Sequence, residues 1–145
     1  MTEEMNVVLP GWFKVVAGLA LAWNLLGVMA YIMQMMMTPE QFAALSQAEQ
    51  DLYANTPAWA TGAFAIAVFG GAAGSLLLFL RKVSAEKILI LSLAGVVVQM
   101  FHSFFLSKSF EVFGPGGAIM PVMVLIIAVG LVWLARTAKA KHWLS

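Results

Sequence analysis

Apolar positions do not alternate with polar ones along this chain; they run together. Positions 15–37, 58–80, 88–107 and 116–135 hold no charged side chain. At about 1.5 Å rise per residue, helices of these lengths reach about 30 Å or more, the thickness of a bilayer's hydrocarbon core. No period-of-two alternation marks barrel strands, and an open sheet in lipid would leave its backbone polar groups unpaired. The pattern predicts an all-α integral membrane protein. It is a single-domain four-helix bundle over 1–145, with spans at 12–37, 58–80, 88–107 and 117–135.

The connections add direction. Between the first two spans lies TPEQFAALSQAEQDLYANTP. Thr38, Pro39 and Glu40 read as an N-cap, a proline at N1 and an acid in the first turn. Phe42, Leu45, Ala48, Glu49 and Leu52 then recur at helical spacing. This predicts a short amphipathic outer helix over 39–55, lying on the membrane and ended by Pro57. Lys14, Arg81, Lys82, Lys87, Arg136, Lys139 and Lys141 fall on one side of the spans, and Lys108 falls on the other. Cytoplasmic loops carry the excess of Lys and Arg, so both termini are expected in the cytoplasm. Trp12, Trp59 and Trp143 sit near the predicted interfaces, whereas Trp23 and Trp133 lie deeper. Glu3 and Glu4 stand where a signal peptide would be basic, so the whole chain is read as mature.

The spans are not uniformly apolar. Ser92, Gly95, Gln99, His102 and Ser103 are spaced by three and four along the third span and share one face. Asn24, Gly27, Tyr31 and Gln34 do the same on the first. Gly70, Gly71, Gly74 and Ser75 make a small-residue face on the second. Small residues let helices approach closely in lipid, which makes Gly27, Gly70, Gly71, Gly74 and Gly95 packing positions. Asn24 and Gln99 both lie about 18 Å above the terminal end of their helices and can meet near mid-membrane. The plainer role of such amides is to staple helices, at about 0.6 kcal/mol each. The sharper role is a ligand or proton site, since ionisable and polar groups in a membrane helix are costly. Gly114-Pro115-Gly116-Gly117 precedes the fourth span, where free N–H groups can receive an anion or hydroxyl. The candidate ligand set is therefore Asn24, Tyr31, Gln99, His102, Ser103, Glu111, Gly116 and Gly117, with the glycine turn as its lid.

Composition narrows the classes. The chain is 62% hydrophobic and 10% charged, with mean hydropathy +0.91. Soluble domains carry about 25% charged residues, so most of this surface must face lipid. A net charge of +1 gives no polyanion footprint, and nucleic acid is not expected as a partner. Without cysteine there is no disulfide and no thiolate metal site. No Asp or Glu lies inside a span, which excludes the cation–proton exchange of small multidrug exporters. No catalytic constellation, metal site or cofactor motif stands out.

The stretches WNLLG at 23–27, TPAWA at 56–60, QMFHSFF at 99–105 and FGPGGAIMP at 113–121 resemble a family of small bacterial proteins of the inner membrane. That family commonly carries the label "sugar transporter" and has a four-helix, DoxX-like layout. The resemblance implies a bacterial inner membrane and a small-molecule role. Three readings stand open. One is a small-molecule, sugar-like binder or transporter, oligomeric, with a polar seam opening outward. The second is a non-catalytic accessory subunit of a larger membrane complex. The third is a quinone- or lipid-linked redox factor beside Phe101, Phe104 and Phe105.

Overall fold

The computed structural model describes residues 8–107, 109–114, 116 and 119–145. Its elements are α1 (Gly11–Met35), α2 (Pro39–Ala43), α3 (Gln47–Ala54), α4 (Ala58–Phe79), α5 (Ala85–Phe101), α6 (Ser109–Phe113) and α7 (Ile119–Ala140), with no strand among the described residues. A π-helical turn, His102–Leu106, prolongs α5. Four of these helices are long and apolar enough to cross a membrane, with mean hydropathies of 1.9 to 2.3 in their most apolar windows.

The elements follow their local chemistry, with two departures from the pattern. The segment expected as one helix over 39–55 is two. Thr38 caps α2, and Ser46 opens α3 with a second capping box, in which its hydroxyl accepts from the Glu49 N–H while the Glu49 carboxylate accepts from the Ser46 N–H. A Ser at N-cap needs a non-helical backbone, so the chain must leave the helix there before re-entering it. The last helix runs past the uncharged stretch to Ala140, and the charged residues there are anchored. Glu86 in the first turn of α5 pairs with Arg136 at 3.3 Å and Lys139 at 3.5 Å. The acid lies at a helix N-terminus and the cations near a C-terminus, which suits both dipoles.

Helix packing runs in the order α1, α4, α5, α7. The α4–α5 pair is the tightest. A Cβ on Gly95 would lie 2.8 Å from the Ala63 carbonyl oxygen and 2.9 Å from the Ala67 nitrogen, and one on Gly74 would lie 2.6 Å from the Leu89 side chain. α1 packs on α4 through Gly27, where a Cβ would lie 3.0 Å from Val68. α7 packs on α5, and α1 and α7 share little contact. The four helices form an open arc rather than a closed ring.

The end carrying both termini closes the arc. Phe13 and Leu78 are fully buried there, with Ala85, Ala135 and Ala138 around them. Beyond α7 the chain turns at His142, in the left-handed region at φ 59°, and lays Trp143 against Phe13 and Trp12, with ring centroids 5.4 and 5.8 Å apart. Ser145 then pairs with the α4–α5 loop: its N–H donates to the Arg81 carbonyl, and its carbonyl accepts from the Val83 N–H.

Candidate functional site

The open arc encloses a cavity of about 380 Å³, walled by α1, α4, α5 and α7. Most of its wall is apolar: Trp23, Phe64, Val68, Val96, Val124 and Ile127 are typical. Among the described residues no charged side chain lines it. Its polar groups come from Asn24, Ser92, Gln99 and Ser103.

These four are not equivalent. The Ser92 hydroxyl is buried and spent, donating to the Ala67 carbonyl at 2.6 Å. The Asn24 amide nitrogen donates to the Ala20 carbonyl at 2.9 Å and to the buried Ser75 hydroxyl at 3.2 Å. Its carbonyl oxygen lies over Gly71, where a Cβ would collide with it. Glycine at 71 is therefore what allows the Asn24 amide to sit between α1 and α4. The Gln99 amide makes no hydrogen bond to a described residue, although it lies in a largely apolar wall. The side chain is half-buried, so its amide is open to water or to a ligand group.

The rest of the candidate set lies elsewhere. His102 is buried outside the cavity, with its ring edge-on to Trp59 at 5.4 Å. Tyr31 is stacked among Phe64 and Phe69, at 5.4 and 5.5 Å. Glu111 is exposed on α6, and Gly116 is exposed with open space around its Cα. Gly117 lies outside the described residues. The structure therefore gathers Asn24, Gln99 and Ser103 at one cavity and leaves His102, Tyr31, Glu111 and Gly116 away from it.

The reason is angular. Steps of three and four residues on a helix differ by about 100°, so a broad polar face is two stripes. Ser92, Val96, Gln99 and Ser103 follow the stripe that meets the cavity. Gly95 and His102, seven residues apart, follow the neighbouring stripe that meets α4 at Ala63 and Trp59. The apolar lining carried little signal in the sequence, because Val96 or Val124 looks the same facing lipid or a cavity. Trp23 was the exception: an indole well inside a span is out of place in an interfacial belt.

Two further hollows adjoin the bundle. One, of about 450 Å³, runs between α1 and α7 beside Trp12, Val16 and Trp133, and it shares Trp23, Ile127 and Leu131 with the cavity. The other, of about 370 Å³, lies at the loop end among Gln34, Thr38, Phe42, Tyr53 and Thr61. Among the described residues no group of His, Asp or Glu is arranged to hold a metal ion. The arrangement offers directional hydrogen bonds inside an apolar chamber, with no acid–base pair among the described residues. Compared with family models, curated proteins and solved structures, the chain matches none.

Proposed function

We propose that this protein is a non-catalytic binder or carrier of a small, predominantly apolar molecule, held in the cavity among α1, α4, α5 and α7. One observation carries the reading. A chamber of about 380 Å³ is built into the bundle, and a glutamine amide with no described partner faces into it. Binding sites for small molecules combine apolar walls with a few placed polar groups, and this wall has that character. A sugar needs a dense set of hydrogen-bond partners. Among the described residues Asn24, Gln99 and Ser103 offer few such groups, which favours a greasier ligand over a sugar-like one.

The setting we propose is a bacterial inner membrane with both termini in the cytoplasm. The resemblance supports the first part. The Lys and Arg distribution supports the second, with Lys108 the exception to an otherwise one-sided set. The chain has no cysteine, so a single one introduced at Ser145 tests the second directly. Labelling by a membrane-impermeant maleimide only after permeabilisation is expected; labelling of intact cells refutes it.

Native mass spectrometry of gently extracted protein tests the binding reading. A small molecule at fixed stoichiometry is expected from the wild type. It is lost from Ala128→Trp, which fills the cavity with an indole. A protein partner without any small ligand would replace this reading with that of an accessory subunit.

A further inference from the structure

A hollow between α1 and α7 adjoins the cavity, and its chemistry bears on what the cavity holds. The hollow between α1 and α7 takes its walls from Trp12, Val16 and Trp23 on one side and Ile127, Trp133 and Leu134 on the other. Trp12 and Val16 belong to the first half of α1 and Trp133 and Leu134 to the second half of α7, so the hollow runs from the end nearer the termini to Trp23 and Ile127 near mid-helix. Trp23, Ile127 and Leu131 are common to the hollow and the cavity and form the partition between them. The end that carries the termini is sealed by Phe13, Leu78 and Trp143. The hollow that adjoins the chamber between α1 and α7 therefore marks a sideways route to it, from the face these helices turn outward.

Gln99 and Asn24 lie well inside α5 and α1, with the Gln99 amide and the Asn24 Oδ1 open to a ligand, and among the described residues neither cavity nor hollow presents a charged side chain. A head group drawn to that depth must itself be neutral, because a charge there has no counter-ion and stays at the interface instead.

We infer that the ligand is a neutral single-headed lipid. It carries a hydroxyl or carbonyl head, bonded by Gln99 with Asn24, and a hydrocarbon tail that leaves past Trp23 and Ile127 into the groove between α1 and α7. This rests on the cavity reading above and adds the head, the tail and the route. It requires no chemistry at the ligand, only exchange of water or lipid contacts for those of the groove.

The test uses full-length protein in phosphatidylcholine vesicles and a long-chain primary alcohol bearing a mid-chain diazirine. The matching carboxylic acid, ionised, serves as the contrast. Photolabelling by the alcohol is expected on peptides containing Trp23 and Ile127. It should saturate and be displaced by unlabelled hexadecanol. Gln99→Leu should weaken it about tenfold, the equivalent of one neutral hydrogen bond. The acid should label weakly and without saturation. Gln99→Met repeats the comparison if the leucine variant does not elute as wild type on gel filtration.

Equal labelling by alcohol and acid, unchanged in both Gln99 variants, would overturn the inference, since it reports only a lipid-facing surface. A small molecule retained in native mass spectra that hexadecanol fails to displace would sink the neutral-lipid assignment and leave the cavity reading standing. No retained molecule and no saturable labelling would remove both.

Discussion

At single positions, the α4–α5 contact makes the sharpest demand. A Cβ on Gly95 meets two backbone atoms of α4 within 3 Å, and backbone cannot rotate away. Gly62, on the same hairpin, has nothing within 4 Å of where its Cβ would be. The two glycines should therefore answer alanine with opposite signs. Gly95→Ala should cost about 1–3 kcal/mol by forcing the helices apart. Gly62→Ala should be neutral or gain up to about 1 kcal/mol from helix propensity. Reversible unfolding in mixed micelles reads both, and equal effects would mean that the close approach is not limiting. Much of this was legible beforehand. Small residues repeated three and four apart in an apolar run have few uses besides helix contact. That Asn24 and Gln99 line one cavity agrees with their equal rise along their helices. His102 was harder to place, since spacing alone assigns Gln99 and His102 to one face. Only the neighbouring helix decides which of two adjacent stripes looks into a hollow and which looks at Trp59.

Among the elements, two helix ends share an uncommon solution. After α4, the Lys82 N–H donates to the Leu77 carbonyl and the Arg81 N–H to the Leu78 carbonyl. After α7, the Trp143 N–H donates to Ala138 and the His142 N–H to Lys139. Both are Schellman-type terminations, which ordinarily place glycine at the left-handed position. Here that position is Arg81 at φ 61° and His142 at φ 59°. Each side chain costs about 1–2 kcal/mol in that conformation. Only Arg81 offsets it visibly, by donating from Nε to the Trp143 carbonyl at 2.9 Å. His142→Gly should accordingly raise the midpoint of thermal unfolding, by roughly 1 kcal/mol of stability. Arg81→Gly should lower it, because a charge-assisted bond of about 1.5–3 kcal/mol is lost with the strain. Thermal melts of the two variants side by side decide the matter, and a gain in both would show that the Arg81 bond contributes less than the strain it accompanies. Element ends were the least legible level of the sequence. The Thr38 cap was readable because proline and acid follow it, whereas the Ser46 cap lies inside a run whose apolar spacing continues across the break. The end of α7 was hidden for a related reason. Charge ends a membrane span without ending a helix, and Glu86, which holds Arg136 and Lys139, lies 50 residues or more away in sequence.

The molecule as a whole is an arc with one closed end and a slot along its side. Its two edge helices, α1 and α7, make little direct contact, and the segment after α7 reaches across to α1. Trp143 is 6% exposed in a chain whose spans keep most of their surface for lipid. Its ring lies on Phe13 and Trp12, while Ser145 is tied to the α4–α5 loop. This segment does for α1 and α7 what the glycines do for α4 and α5, and it does so at one end only. Removing the clasp should thus have a directional effect. Trp143→Ala should cost about 3 kcal/mol or more, the usual loss for a buried tryptophan. The slot should loosen while the α4–α5 hairpin stays as it was. Spin labels at Leu19→Cys and Gly130→Cys, one on each wall of the slot, should give a narrow distance distribution in the parent protein and a broad one with Trp143→Ala. Labels at Ile66→Cys and Val97→Cys on the hairpin should give the same distribution in both. If the slot keeps its width while stability falls, the tail is only a plug in the terminal core. A slot that widens while the hairpin holds would make the C-terminal clasp the element that sets how far α1 and α7 stand apart, and with it the size of the entrance to the cavity.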